Sequence, residues 1–590
     1  MKTKLLALLI FNFSFLIYTC DSSAEIRFVS KTGSSAPPYT TWATASDSIQ
    51  KCINICNDGD TVVVANGVYW EFLTIDSAIT LLGMSMDSTV IDGTGLGDYN
   101  TIRANNNLTI KEFKIIGKGF NASPQYTAIT NIFYSINIEK CNISNSNIGI
   151  YLGRSSGVVD SVFMHNVNRG VYTFCAYDTC KPVIKNSVII IRETNSDDSD
   201  GMINFHGGQP KILNNIIIGN GKYSGVEVIN PVRSISMKNN LIGGFWRGYE
   251  NGAGVIDTTY IVNNVFRDQI SNNNSTDASI SFPNSRAYIR NNIISNSDKG
   301  IQTEATLNSD YNLFWNNEIN ANNGSAFGEH DLFVDPMFVK DTIARSLAYD
   351  YHLQAYSPAI DAGDKLIQDV DGSRSDIGLF GGPGGTSYIY LNLPPKPPVN
   401  FHSSFDSSKI TISWDKFSEA DFSHYNIYRS VVNNFIPDSS SYYCRRDTSY
   451  FIDEIPIVKD KIYYKITSVD SAGNESVPGE QIVVTVTGIG EPFIEIVGEY
   501  KLYQNYPNPF NPVTIIPFRL KERGYVKVMV YDIKGELITT IVNETKEAGF
   551  YEAEFYANGL ASGIYLYRIE VVGEGNIPVY MNMRKMLMIK

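Results

Sequence analysis

Two carboxylates, Glu227 and Glu250, stand 23 residues apart, each beside an aromatic and a basic residue: Tyr223 before the first, Trp246 and Arg247 before the second. They occupy equivalent places in a recurring pattern. Glycines return at Gly149, Gly170, Gly201, Gly225, Gly248 and Gly300, with Ala278 in the place of one. An inward apolar residue follows each, and then an outward one: Tyr151, Tyr172, Ile203, Glu227, Glu250 and Gln302. Stacked coils of parallel strands would set these outward side chains roughly 4.8 Å apart. Glu227 and Glu250 then become neighbouring carboxylates. Tyr223, Trp246 and Tyr172 offer flat apolar faces to sugar rings, and Arg247 a fork for hydroxyls or uronates.

Three chemistries fit such a cluster. A carboxylate pair at about 5 Å suits a retaining glycosidase, with one group as nucleophile and one as acid. The pair could instead hold Ca²⁺ with Asp197, Asp198 and Asp200 of the preceding coil. A uronate lyase would use that cation, with Lys211, Lys222 or Arg247 as base. Against these stands a plain solvated outer face, since repeat proteins place polar residues outside. His206, in Asn204-Phe205-His206-Gly207-Gly208, is the best-placed general base among six histidines. Asp369-x-Asp371-Gly372-x-x-x-Asp376 has oxygen spacing for Ca²⁺, but reads more simply as an Asx-stabilised turn.

The element that must carry these residues is a solenoid. Asparagine beside an apolar residue recurs about every two dozen positions: Asn142, Asn215, Asn240, Asn264, Asn292 and Asn312. Ser161 and Ser187 fill the gap. A buried amide can donate to one coil and accept from the next. Trp42 to Ile55 has helical periodicity and would cap the open end. These features, with the opening strands Asp60–Tyr69 and Ile79–Gly83, resemble right-handed parallel β-helix proteins of the pectate-lyase-like fold. That resemblance implies fold more than activity, because lyases, hydrolases, epimerases and binding proteins share it.

The expected organisation is all-β: a signal peptide at 1–24, a right-handed parallel β-helix over 25–390, then two small β-sandwich domains. A Pro-rich linker spans 391–398. Residues 399–488, with Trp414 and Gly473-Asn474-Glu475-Ser476, resemble a fibronectin type III sandwich. In 498–590, Asn505-Tyr506-Pro507-Asn508-Pro509-Phe510-Asn511-Pro512 and Gly559-Leu560-Ala561-Ser562-Gly563-Ile564-Tyr565 resemble the C-terminal sorting domain of type IX secretion. The resemblance implies the secretion machinery as a partner and a secreted or surface location.

Lys2 and Lys4 before an apolar stretch give the leader its character, with lipidation at Cys20 as the alternative. Cys175 and Cys180 are the best disulfide pair; Cys52, Cys56, Cys141 and Cys444 read as free thiols. The net charge of −13 and the lack of a basic stripe argue against nucleic acid, and no later segment is apolar enough to span a bilayer as a helix. Recognition of an extracellular polysaccharide, with cleavage as an open addition by a lyase or glycoside hydrolase, is the leading expectation. A non-catalytic adhesin or structural surface protein is the other.

Overall fold

A computed structural model describes residues 24–589, apart from 96–99, 121–125, 176–179, 193–200, 231, 253–254, 271–276, 283–285, 304–307, 323–326, 343–347, 407–408, 455–460, 486–499, 506–507, 558 and 574–577. The leader, the Cys20 alternative and the acidic triplet Asp197, Asp198 and Asp200 lie outside the described residues.

Residues 1–391 and 392–590 separate into two units. The first is a parallel β-solenoid of about 9 turns. Its strands form one sheet of 12 and one of 20, each strand pairing with its counterpart a coil away. Apolar stacking fills the interior. Ile143, Met164, Ile189, Ile217, Ile242, Phe266, Ile294 and Phe314 are paired coil to coil and almost wholly buried. At the entry, the helix Ile49–Ile53 buries Ile49, Cys52 and Ile53. It is shorter than the periodicity from Trp42 suggests. The Glu71 carboxylate closes its N-terminus, accepting from the backbone N–H groups of Ile49 (3.0 Å) and Gln50 (2.8 Å).

The asparagines make two ladders, one residue apart. The buried one runs Asn215–Asn240–Asn264–Asn292–Asn312, each Nδ2 donating to the next Oδ1 at 2.9–3.0 Å. Ser187 continues it, donating its backbone N–H to Asn215 Oδ1 at 3.0 Å. Asn142 and Ser161 are not rungs, contrary to expectation. Asn142 pairs with Phe163, which places the buried Cys141 and Val162 one residue earlier in line with the ladder. The second ladder is Asn186, Asn214, Asn239, Asn263 and Asn291, every one at φ between +52° and +57°. Asparagine tolerates this left-handed turn better than other side chains do.

The closing segment of the first unit lies along that second ladder. Asn291 Oδ1 accepts from Asp364 N (2.7 Å), while Asn263 Nδ2 donates to Asp376 O (2.9 Å) and Asn239 Nδ2 to Leu379 O (2.9 Å). The Asx-turn reading of the aspartates agrees with these contacts. Asp371 Oδ1 accepts from Ser373 N at 2.9 Å, and Asp369 Oδ2 from Asp376 N at 3.1 Å. Asp376 Oδ1 accepts from Asp361 N at 2.9 Å, and Oδ2 from Tyr390 Oη at 2.8 Å.

Burial pushes the Asp376 carboxyl up to about 6, against the lowering effect of those hydrogen bonds. The folded chain therefore holds this proton more tightly than the unfolded one, whose value is near 3.8. The resulting stabilisation is full below about pH 4 and is lost as the pH rises through 6, by up to roughly 3 kcal/mol. Melting of Asp376→Asn beside the parent at pH 4.5 and pH 7 checks this. The variant should keep its stability on going to pH 7 better than the parent does.

In the second unit the described residues form four antiparallel sheets, of three, four, three and four strands. Trp414, Tyr425, Ile427 and Tyr464 pack in one core. Ile516, Phe518, Val528 and Tyr567 pack in another. No helix among the described residues is long and apolar enough to cross a membrane.

Candidate functional site

The outward positions of the larger sheet line up as Thr130, Tyr151, Tyr172, Asn204, Glu227, Glu250, Ser281 and Gln302. Five of these eight positions, Tyr151, Tyr172, Glu227, Glu250 and Gln302, follow from strand alternation alone. At the third coil the expected register was one residue out. Ile203 pairs with Val171 and Val226 and is wholly buried, so Asn204 takes the outward place. Met202 therefore stands where Gly201 was expected. Similarly, Ile280 pairs with Tyr249, so Ser279 and not Ala278 aligns with Gly248.

Glu227 and Glu250 are direct cross-coil partners, as expected. Each carboxylate is already engaged. Glu227 Oε2 accepts from Gly201 N at 2.6 Å and from Asn204 Nδ2 at 2.9 Å. Glu250 Oε2 accepts from Ser224 Oγ at 2.6 Å, and its Oε1 pairs with Arg247 Nη1 at 2.7 Å. Arg247 Nε donates in turn to the buried Asp277 at 2.8 Å. Burial alone would lower the Arg247 pKa, but the bonds to Glu250 and Asp277 outweigh it and raise the value. Arg247 thus holds Glu250 between two coils.

Tyr223 and Trp246 meet as expected, with ring centroids 5.7 Å apart. Tyr223 is buried in the main core and Trp246 is half-buried against it. The accessible aromatic surface lies nearer the entry. Tyr172 stacks on Tyr151 (centroids 5.6 Å, 11° between planes), and Arg169 sits 5.7 Å over its ring. His206 packs beside Tyr172 at 5.0 Å and Phe174 at 5.9 Å. Phe174 is 39% exposed, and Phe133, 63% exposed, lies under the Arg154 guanidinium.

His206 is held at both ring nitrogens. Asn230 Nδ2 lies 2.9 Å from Nδ1 and Tyr172 Oη 2.8 Å from Nε2. These two contacts fix the plane of the imidazole. The turn that follows is backed by the Cys175–Cys180 disulfide, which forms as expected. Gly207 adopts φ +84°, and a Cβ there would lie 2.1 Å from the Cys175 carbonyl oxygen. Only glycine fits so close an approach.

The Tyr172–His206 contact was not legible in the sequence, where the two are 34 residues apart. Lys211 and Lys222 do not enter this group in any described contact. No cluster of metal-ligating side chains occurs among the described residues. The proposed calcium ligands Asp197, Asp198 and Asp200 are not among them.

Residues 504–577 match the secretion-system C-terminal sorting domain. The chain therefore carries the type IX sorting domain expected within 498–590, which directs export to the cell surface or secretion. No curated protein matches the chain. Among solved structures it is similar to a PL6 family alginate lyase, AlyGC (15% identity, 48% of this chain and 52% of that one, TM-score 0.29). It is also similar to pectin methylesterase from carrot (9% identity, 48% and 80%, TM-score 0.24). A third likeness is to dimeric latent PorU from Porphyromonas gingivalis (14% identity, TM-score 0.17), covering 33% of this chain and only 20% of that one.

Proposed function

We propose that the solenoid recognises an extracellular polysaccharide along its outer sheet, at the aromatic group Tyr151, Tyr172, Phe174 and His206. The observation that carries this reading is the stack itself: rings from successive coils, on an outward face, flanked by Arg154 and Arg169. Rings with centroids 5.0–5.6 Å apart from one coil to the next present a continuous apolar track to a sugar chain. The guanidiniums would serve hydroxyls or uronate carboxylates. Glu227 and Glu250 continue the same row, with Arg247 bonded to Glu250 and Tyr223 and Trp246 behind them. A fibronectin type III-like sandwich at 399–488 would act as spacer between the solenoid and the sorting domain.

A non-catalytic surface adhesin is the second reading. It is favoured by the engagement of both glutamates in hydrogen bonds within the protein. Cleavage would require a substrate to displace those partners.

A panel of neutral and uronate polysaccharides, followed by affinity electrophoresis and by assays for reducing ends and unsaturated uronates, tests both. Tyr172→Ala should weaken binding about tenfold, the loss of one stacking contact worth roughly 1–2 kcal/mol. Unchanged binding by that variant would overturn the proposal. Product formation abolished in Glu227→Gln or Glu250→Gln, with binding retained, selects an enzyme. Binding without products selects the adhesin.

A further inference from the structure

A cavity of about 440 Å³ opens where the closing segment leaves the left-handed asparagine ladder. Asn186, Asn214 and Asn239 form one side, and Tyr349, Tyr351 and Phe380 stand among the residues facing them. The ladder itself shows what its amides bind. At Asn239 and the two rungs beyond it, Asn239 and Asn263 donate to main-chain carbonyls at 2.9 Å, and Asn291 accepts a main-chain N–H at 2.7 Å. The side-chain amide thus pairs with secondary amides, as donor and as acceptor.

At Asn214 and Asn186 the chain has turned away, through Gly384 and Gly385. Both side chains are exposed; Asn186 Nδ2 donates to Asp160 Oδ1 at 2.8 Å, while Asn214 Nδ2 stands 3.5 Å from Asn186 Oδ1, at the limit of a hydrogen bond, which leaves Asn214 the weakly engaged amide. The aromatic side is ordered: Tyr349 stacks on Tyr351 at 4.7 Å, and His352 on Phe380 at 3.8 Å. The described lining holds no lysine or arginine, and its one carboxylate, Asp350, is paired with His352 at 2.6 Å.

We infer that this cavity binds an N-acetylated hexosamine unit of a neutral glycan, its acetamido group on Asn214 and its ring against the tyrosine–phenylalanine wall. The acetamido group repeats the secondary amide that the neighbouring rungs grip. The aromatic wall suits a pyranose face, and a lining without free cations suits an uncharged ligand. An extended peptide would satisfy the same amide but leave the flat aromatic wall without a matching face. The site is separate from the outer aromatic row and stands or falls independently of it.

Calorimetric titration of the full chain with a β-1,4-linked N-acetylglucosamine tetramer, its glucose counterpart and a blocked tetra-alanine peptide decides the matter. The N-acetylated tetramer should bind at least tenfold tighter than the other two. Asn214→Gly, which keeps the left-handed turn while removing the amide, should weaken it about tenfold, and Tyr349→Leu likewise. Tyr172→Ala should leave this affinity unchanged, which separates failure here from failure at the outer row. Equal binding of the two sugars, tighter binding of the peptide, no binding, or insensitivity to Asn214→Gly would each overturn the inference.

Discussion

Replacing Arg267 by alanine should cost the solenoid about 3–5 kcal/mol. The Arg267 side chain is 3% exposed and is bonded to both Asp268 and Asp341. Its guanidinium also lies 5.0 Å from the centre of the Tyr351 ring. Burial alone would lower its pKa, but the two carboxylates outweigh this and hold it fully charged. Removing it leaves two partly buried carboxylates facing each other and takes the support from Tyr351, which anchors the closing segment. Arg267→Met, which keeps the packing volume, should not rescue stability; Arg267→Lys should rescue part of it, since lysine keeps the charge but not the fork. Chemical denaturation of the first unit, followed by tryptophan fluorescence, measures this.

The second large effect is expected at Asn264. Its Nδ2 donates to Met237 O, Val262 O and Asn292 Oδ1 at 3.0–3.1 Å, and its Oδ1 accepts from Asn240 N and Nδ2 at 2.9 Å. Asn264→Ala strands buried donors and acceptors on three coils at once, each worth roughly 1–3 kcal/mol. A total loss of about 3–5 kcal/mol follows, because part of the deficit relaxes. Asn264→Ser should lose about half as much. Ser187 shows why: in the same ladder its Oγ accepts from Val162 N at 3.1 Å and donates to Lys185 O at 2.8 Å. If alanine and serine cost the same, the ladder is packing and not hydrogen bonding.

The ladder also shows what could be read in advance. Asn215, Asn240, Asn264, Asn292 and Asn312 were legible because a buried amide recurs only where coils stack. Ser161 was misplaced because the polar positions come in adjacent pairs, one in the hydrogen-bonded row and one in a left-handed turn, and Ser161 is the latter; Asn142 is in neither, one residue past Cys141. Doublets such as Asn263-Asn264 and Asn291-Asn292 carry both members, and that signal distinguishes the ladders. A lone polar residue does not say which of the two it is.

Register failed for a similar reason at Ile203. Met202 and Ile203 are both apolar, so alternation gave no warning of a one-residue slip. Glu227 and Glu250 were placed correctly because Val226 and Tyr249 are unambiguous inward neighbours. What the sequence could not convey was engagement. The bonds from Gly201, Asn204 and Ser224 to the two carboxylates depend on how each group reaches the neighbouring coil, which no periodicity encodes. The Tyr172–His206 contact joins residues 34 positions apart, more than the two-dozen period of the other coils.

The central claim is that sugar lies along Tyr151, Tyr172, Phe174 and His206. Hydroxyl-radical footprinting by mass spectrometry, with and without the tightest oligosaccharide found in the panel, tests it most directly. Oxidation of Tyr172 and Phe174 should fall several-fold on binding, while the exposed Tyr450 and Tyr556 of the second unit react unchanged. Undiminished oxidation of Tyr172 and Phe174 at saturating oligosaccharide would contradict the account.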